Sequence, residues 1–591
     1  MTQALAHRGP DGENFWVNER QTTGFGHRRL SIIDLSDNAA QPMHYLSRYT
    51  IIHNGEIYNY KEIREELEKK GYSFQSQSDT EVILAAYDCY KAECLQYFDG
   101  MFAFAIWDEQ EQLLFAARDR FGEKPFFYSF TNQQLAFASE LKALWAIGVE
   151  KKMNEAMYYN YLTLGYTQNP YNDEETFYTG IKKLPARSYL TYHLPQNKLT
   201  TKTYWDIDKQ YAEENITEKE AIRKFTELFT TSVNRRLRSD VPLGTSLSGG
   251  LDSTSVLNLV HSLTSQTQKT FSATFPGFAK DESVYIELAK EANAAENYTV
   301  TTTVDVFLKN IETLCYHQEE PFQSASLFAQ YSVFELAKQY NVKVLLDGQG
   351  ADEVFAGYTK YFHWYWQQLY RTDRATLLTE RKAVQQTELP GKWGWRNKLA
   401  ARFPSLIART IQKVKAMEQR SAAGLSKPFV KSFGTSYYHI PPGNALNNVL
   451  YYNTCMNGLE ELLRYADRNS MAHGREVRLP FLSHELVQFI FSLPAHYKIR
   501  NGWTKWILRA GMDNRIPKEI TWRKNKVGFE PPQQQWMENK QVQEYIHEAK
   551  RVLVDKNILK AEILDKKIQP HDAHAADNCD WKYLVAGTLL R

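Results

Sequence analysis

Cysteine is scarce in this chain: five in 591 residues, at positions 89, 94, 315, 455 and 579. They form no Cys-x-x-Cys pair and their number is odd, which argues against a disulfide framework and for a reducing, cytoplasmic setting. No run of 18 apolar residues occurs, so no membrane-spanning helix and no membrane partner are expected. The opening stretch Met1–Glu13 lacks the apolar core of a secretory leader, and none is expected. An excess of one charge is also missing: the net charge is +2, which points to no class of partner. What is present is ordinary for a globular protein, 43% apolar and 24% charged residues. At ~150 residues per domain, the length suggests about three to four folding units.

The chain has two halves of different pattern. In residues 1–195, Met101–Trp107, Leu113–Arg118, Phe126–Phe130 and Leu135–Ser139 are short apolar runs separated by polar clusters. That spacing predicts antiparallel hairpins. Two helical stretches interrupt them, Tyr60–Lys70 and Thr80–Tyr90, the second with Asp79 as its expected N-cap. An α+β layered domain follows. The polar stretch Thr200–Glu220 is expected to be linker. Across 205–591 strands and helices alternate. Val241–Leu247, Thr270–Phe275, Tyr298–Thr302 and Val342–Leu346 are strand patterns, with helices at 254–262, 283–293, 305–316 and 327–340. Alternation of this kind implies right-handed crossovers and a mostly parallel sheet with its ligand site at the strand carboxyl ends. Between Arg381 and Lys431 there are 12 Lys/Arg and 2 Glu. A solvated helical insertion is the expectation there; a patch for nucleic acid or anionic lipid is the alternative, and only Trp393 and Trp395 offer stacking rings.

The strongest local signal is Ser248-Gly249-Gly250-Leu251-Asp252-Ser253, placed after an apolar strand and before an amphipathic helix. Two glycines let backbone N–H groups approach an anion closely, and the helix start adds partial positive charge. Ser248 and Ser253 can donate hydroxyl hydrogen bonds, and Asp252 suits a Mg²⁺ ion beside phosphates. The string resembles the pyrophosphatase loop of the N-type ATP pyrophosphatases, which split ATP into AMP and pyrophosphate; no Walker lysine follows it. A second cluster, Asp347-Gly348-Gln349-Gly350-Ala351-Asp352-Glu353, follows the last predicted strand. In one parallel sheet the two loops converge, and Asp252 and Asp352 are then expected to share the metal. An acid-rich helix start without a ligand is the alternative for the second cluster.

A wider set of motifs accompanies these loops: His7–Gly12, Gly26–Asp34, Gln41–Met43, His53–Asn59, Ser78–Glu81, Asp99–Phe102 and Arg118–Pro125. In this order, and followed by the phosphate loop, they are similar to the glutamine-hydrolysing asparagine synthetases over nearly the whole chain. The resemblance implies an N-terminal-nucleophile (αββα) glutaminase over 1–195 and an α/β ATP-pyrophosphatase domain over 205–591. It implies conversion of aspartate to asparagine through β-aspartyl-AMP, with ATP and Mg²⁺ consumed at the second site and ammonia delivered from the first. It further implies that Arg29 pairs with the glutamine carboxylate, that Asn54 and Gly55 form the oxyanion hole, and that Glu56 and Asp79 read the α-amino group. Residue types fit these roles. By the same resemblance Leu247, Ala273, Asp347 and Gly348 line ATP beside the loop, Tyr358 follows the acidic cluster, and Lys505 contacts the phosphates and the adenylate. Asp467-Arg468, Glu476 and Arg478–Leu482 match a late motif that is expected to shape the acceptor site. A homodimer is one assembly that the resemblance allows.

This sequence departs from the family pattern in places. The family opens Met-Cys-Gly, and the cysteine is its glutaminase nucleophile. Here Met1–His7 matches the stretch before the Arg-Gly-Pro-Asp motif, so the first strand and the nucleophile are absent from these residues, and an N-terminally truncated form with an inactive glutaminase is expected. Gln349 stands where a glutamate is usual in bacterial asparagine synthetases, and glutamine cannot act as a base. Arg475 and Ser483 replace an aliphatic residue and an acid. Three alternatives stay open: the same chemistry on another carboxylate, such as an envelope or antibiotic precursor; a degenerate ATP-binding homologue; and a nucleic-acid-modifying relative.

Overall fold

The computed structural model describes residues 1–208, 213, 215–385, 393–420, 424–433, 435–441, 445–524, 530–575 and 577–591. The first half has a six-stranded sheet stacked on a second layer made of a two-stranded and a three-stranded sheet, between two helical layers. Its strands are β1 (Gly12–Val17), β2 (Gly24–Arg29), β3 (Met43–Tyr45), β4 (Tyr49–Ile57), β5 (Gly100–Asp108), β6 (Leu113–Arg118), β7 (Phe127–Thr131), β8 (Gln134–Ala138), β9 (Lys182–Lys183), β10 (Ser188–His193) and β11 (Lys198–Thr203). Six of them form one antiparallel sheet in the order β11-β10-β6-β5-β4-β3. Helices α1 (Tyr60–Glu68) and α2 (Asp79–Tyr90) cover its outer face, burying Ile63, Leu67, Val82, Ile83 and Ala86 against Ile51, Phe104 and Phe115. The inner face packs Ala103, Ala105, Trp107 and Ala116 onto Phe25 of β2 and Tyr128 of β7. Small residues on β5 let these two layers approach, and alternation along the strand makes this possible. Helices α3 (Leu141–Trp145) and α4 (Glu155–Leu164) close the far side through Leu141, Leu144, Tyr158 and Tyr161. The layers are therefore αββα.

The hairpins expected at Met101–Ser139 are present within a residue or so at each end. Two expectations need correction. Asp79 is not the cap of α2; Ser78 is, its hydroxyl accepting from Thr80 N, because the Asp79 carboxylate is taken by the Ile57 backbone N–H. The stretch Thr200–Glu220 is not wholly linker: β11 runs through Thr203 and the next helix begins at Glu218. Residues 209–212 and 214 lie outside the described set.

The second half has a five-stranded parallel sheet. Helix α5 (Glu218–Arg236) leads into β12 (Leu243–Ser246), α6 (Leu251–Leu263), β13 (Lys269–Thr274), α7 (Ser283–Ala292), β14 (Glu296–Thr301), α8 (Val304–Gln318), α9 (Ser326–Gln339) and β15 (Val344–Leu346). Then come the short helix α10 (Ala351–Val354) and α11 (Tyr361–Thr372), α12 (Arg374–Gln385), α13 (Trp395–Arg402) and α14 (Pro404–Arg420). The last strand, β16 (Glu476–Arg478), completes the order β14-β13-β12-β15-β16. Every pairing in this sheet is parallel. Connections run outward from β12 on one side and return to β15 on the other, so the chain direction switches between β12 and β15. Both phosphate-loop candidates leave these two neighbouring strands at their carboxyl ends, where a crevice forms. The basic stretch 381–431 is mostly helical where described, with 386–392 and 421–423 outside the described residues.

A buried ionic cluster joins the halves. Arg8 donates to Asp467 at 2.9 Å through both terminal nitrogens and to Glu140 at 2.8 Å. Arg468 pairs with Glu140 at 3.1 Å and Glu319 at 3.0 Å. Lys142 bridges Glu140 and Glu319, and Lys124 reaches Asp467. Burial alone raises a carboxyl pKa, but the Lys142 and Arg468 charges hold Glu140 well below the usual range.

Candidate active sites

The first site is a cavity of about 310 Å³ among the sheets of the first half. It lies between the edges of β2 and β8, each of which has one paired neighbour, β1 and β7 respectively. Arg29, Asn54, Gly55, Glu56 and Asp79 all line it, as do His53, Lys124, Ser139 and Met1. The first five of these residues come from three sequence-distant segments, β2, β4 and the start of α2. Gly55 sits at φ 134°, and a Cβ there would lie 2.0 Å from the Met101 carbonyl oxygen, so only glycine fits. Asn54 Nδ2 donates to Ser139 Oγ at 3.4 Å. The Arg29 guanidinium donates to the Ser36 carbonyl at 2.8 Å and to that of Asp34. These carbonyls fix its position at the rim and leave it the charge to attract a carboxylate.

The floor of this cavity is acidic and buried. Burial pushes Asp79 up to about 6, against the pull of the Ile57 and Thr80 backbone N–H groups. Burial, then the neighbouring Asp79 and Glu476 charges, push Glu56 well above its ordinary value. Its Oε2 is buried without a hydrogen-bond partner. An ammonium group entering here meets a carboxyl pair poised to ionise in its presence. Burial likewise holds His53 down at about 3 and His27 at about 4, so both rings stay neutral.

Glu476 also lines this cavity, together with Met471. The structure thus places Glu476, which the late motif links to the acceptor site, at the first cavity. Asp467 and Arg468 belong to the ionic cluster between the halves, and Arg478 donates to the Arg236 and Arg238 carbonyls and to Glu476. The late motif is therefore the wall through which the halves meet. None of the five cysteines lines the cavity.

The second site stands at the β12/β15 crevice. Gly249, at φ 73°, presses against α7, where a Cβ would lie 2.6 Å from Ile286 N. Ser253 Oγ accepts from Ser248 N at 3.3 Å and lies 3.1 Å from Ser248 Oγ, closing the loop on itself. Leu247 carries the strand into the loop: its N–H donates to Phe271 O and its carbonyl accepts from Ser272 Oγ at 2.6 Å. Ala273 is buried on the adjacent strand. Gly348 brings the second loop onto the first, since a Cβ there would meet Asp252 Cβ at 2.9 Å. Gly250 and Leu251 open α6, and Asp347 is pushed up to about 6 by burial, opposed by the Gly348 and Gln349 N–H groups.

Lys505 ties the two loops together. Its ammonium lies 2.6 Å from Asp252 and 2.7 Å from Asp352, and the side chain is 2% exposed. Its backbone is left-handed at φ 51°, immediately before the helix Trp506–Met512. Gly357 makes room for it; a Cβ there would lie 2.2 Å from Lys505 Cε and closer still to Asp352. Tyr358 donates from its hydroxyl to Glu353 at 2.5 Å. Gln349 Oε1 is buried without a partner. Arg509, one turn after Lys505, was not anticipated from the sequence. It donates to the Thr504 and Thr521 carbonyls, and burial lowers it to about 10 although Asp252 and Asp352 lie near enough to oppose the shift. Asp252 Oδ1 is buried and has no hydrogen-bond partner. An orphaned carboxylate oxygen beside a second carboxylate suits a Mg²⁺ ion that takes its remaining ligands from phosphate oxygens and water. Among the described residues no group of three or more His, Cys, Asp and Glu side chains is placed to hold a metal by itself.

Comparisons with known proteins agree with this two-site architecture. The family model for asparagine synthase matches residues 224–588, and that for a glutamine amidotransferase domain matches residues 1–205. Asparagine synthetase [glutamine-hydrolyzing] 1 of Bacillus subtilis (strain 168) is 33% identical over 610 aligned positions, covering 99% of this chain and 92% of the relative. Asparagine synthetase [glutamine-hydrolyzing] 3 of the same organism is 28% identical, covering 89% of this chain and 82% of the relative. The chain belongs to the asparagine synthase family.

Proposed function

We propose that this protein is an ATP-dependent carbon–nitrogen ligase that converts aspartate to asparagine, releasing AMP and pyrophosphate. The observation that carries this reading is the Lys505 bridge between Asp252 and Asp352 at the mouths of two glycine loops. A carboxylate is a poor electrophile because it is anionic and has no leaving group. Attack of a carboxylate oxygen on the α-phosphorus of ATP expels pyrophosphate and leaves an acyl adenylate. Ammonia then adds to the acyl carbon, and AMP departs with one of the original carboxylate oxygens. The chain's own part is positioning and charge stabilisation. Backbone N–H groups of Gly249–Ser253 receive the phosphates, and Lys505 moves from its carboxylate clip to the developing pyrophosphate. Leu247, Ala273, Asp347 and Gly348 frame the nucleotide, and Gln349 and Tyr358 border the acceptor. Mg²⁺, when bound, neutralises phosphate charge beside Asp252 and Asp352.

The first cavity is read as a glutamine site, with Arg29 on the carboxylate, Glu56 and Asp79 on the ammonium, and Asn54 and Gly55 facing the amide. The nitrogen comes from glutamine or from free ammonia. A cytoplasmic setting and a homodimer accompany this reading as proposals. The test is pyrophosphate release by the purified chain with Mg-ATP across a panel of carboxylates, each with ammonium chloride or glutamine. Release with aspartate and ammonium supports the reading. Turnover with another carboxylate and none with aspartate overturns the assigned acceptor.

A further inference from the structure

The described residues leave twenty-one large apolar side chains exposed, and seven of them fall between Trp395 and Met417. That is a third of the total within one helical hairpin, α13 followed by α14. On α14, Leu406, Thr410, Val414 and Met417 follow one another at helical spacing and share a face. Leu406 is 64% exposed and Met417 69%. Arg409 and Lys413, both exposed, run along the edge of that face, at positions i+3 and i+7 from Leu406. On α13, Trp395 is 70% exposed, with Arg396 over its ring at 5.6 Å and Leu399 one turn on.

The hairpin's other side is fastened to the fold. Trp393, just before α13, meets Trp366 edge-on with ring centroids 6.2 Å apart, and Ala401 is fully buried. Gln419 Nε2 donates to Thr163 Oγ1 at 2.7 Å and to Asn160 Oδ1 at 3.3 Å. The apolar face is therefore presented outward by a hairpin held from behind.

Charge decides what can cover it. From Trp395 to Arg420 the sequence holds seven Lys/Arg and one Glu, while the whole chain is at +2. A cationic rim beside an aliphatic strip matches an anionic lipid interface, which takes Leu, Val and Met into the acyl boundary and leaves Lys and Arg among the headgroups. A polyanion such as RNA would be gripped by the basic edge but would leave the aliphatic strip in water, and only one ring, Trp395, stands ready for stacking. No described helix is long and apolar enough to cross a membrane, so α14, about 25 Å long at 1.5 Å per residue, would lie in the interface plane.

We propose that the α13–α14 hairpin docks this protein peripherally on an anionic lipid surface. This goes beyond the ligase reading and departs from the absence of a membrane partner expected from the sequence. The experiment is co-sedimentation of the full chain with phosphatidylglycerol-containing vesicles and with pure phosphatidylcholine vesicles, at low and high salt. Binding to the anionic vesicles alone, weakened by salt, is expected. Arg409→Gln and Lys413→Gln should each weaken it about fivefold. Leu406→Glu with Val414→Glu should abolish it, with pyrophosphate release and thermal unfolding of the unbound protein unchanged. Equal binding to both vesicle types, or anionic binding that the Glu variants leave intact, overturns the proposal. So does loss of the exposed face in a self-associated form that Leu406→Glu disperses, or salt-sensitive binding of transfer RNA in place of vesicles.

Discussion

Replacing Lys505 by methionine tests the second site most severely. The ammonium sits between two carboxylates at 2.6 and 2.7 Å and is 2% exposed, whereas Asp252 and Asp352 are 17% and 21% exposed. Methionine keeps the length of the stem and its packing against Gly357 but removes the charge. Two carboxylates are then left facing one another. Breaking a buried pair in this way costs about 3–5 kcal/mol, and partial hydration of the acids moves the expectation to about 3 kcal/mol. The same change removes a cation that reaches the phosphates, a loss typical of about 10²–10³ in kcat. Two readouts separate the effects. Thermal unfolding should fall by several degrees in the absence of divalent ions and recover in millimolar Mg²⁺, because the ion fills the gap between the acids. Pyrophosphate release should not recover. A variant that keeps release within about threefold of the parent would refute the role assigned to Lys505, whatever its stability.

Three further outcomes are expected. Asp79 titrates near 6 when folded against 3.8 as a free side chain, so the folded state holds its proton more tightly, and that stabilisation is complete below about pH 4 and lost as pH rises through 6; at pH 8 Asp79→Asn should therefore gain up to ~3 kcal/mol of stability and at pH 4 gain none, measured by denaturant unfolding. Gly357→Ala places a Cβ 2.2 Å from Lys505 Cε and should cut kcat by more than tenfold through displacement of the lysine, read as pyrophosphate release at saturating ATP. Arg8→Met leaves Asp467 with only Lys124 at 3.5 Å and takes one cation from Glu140, and should cost about 3 kcal/mol; limited proteolysis should then separate the halves at lower denaturant than in the parent.

Much of the fold was legible because its signals are local. The run of apolar residues into Ser248-Gly249-Gly250 marks β12 and α6 without reference to anything else in the chain. The β7–β8 hairpin shows itself through Asn132–Gln134 between two apolar runs. By contrast, β1 leaves Phe15 and Val17 exposed and β2 buries only Phe25, so neither has an alternating pattern. Ser78 and Asp79 are both good cap residues, and only the distant Ile57 N–H decides between them. The cavity residues Arg29, Asn54, Gly55, Glu56 and Asp79 are marked in the sequence only by family resemblance, since Asn-Gly alone is a common turn. Glu476 belongs to β16 of the second half yet lines the first cavity, and more than four hundred residues separate it from Asn54, so no local pattern records that the two share a wall. Arg509 escaped notice for a related reason: its position follows from the left-handed backbone at Lys505, which aims one helix turn at both loops.

The central claim is that an acceptor carboxylate is activated by transfer to AMP at the β12/β15 crevice. Aspartate labelled with ¹⁸O in its side-chain carboxylate, incubated with Mg-ATP and ammonium, tests it directly by mass analysis of the nucleotide and phosphate products. The account predicts asparagine, unlabelled pyrophosphate and AMP carrying one ¹⁸O atom. Label in inorganic phosphate with ADP as the nucleotide product would contradict it.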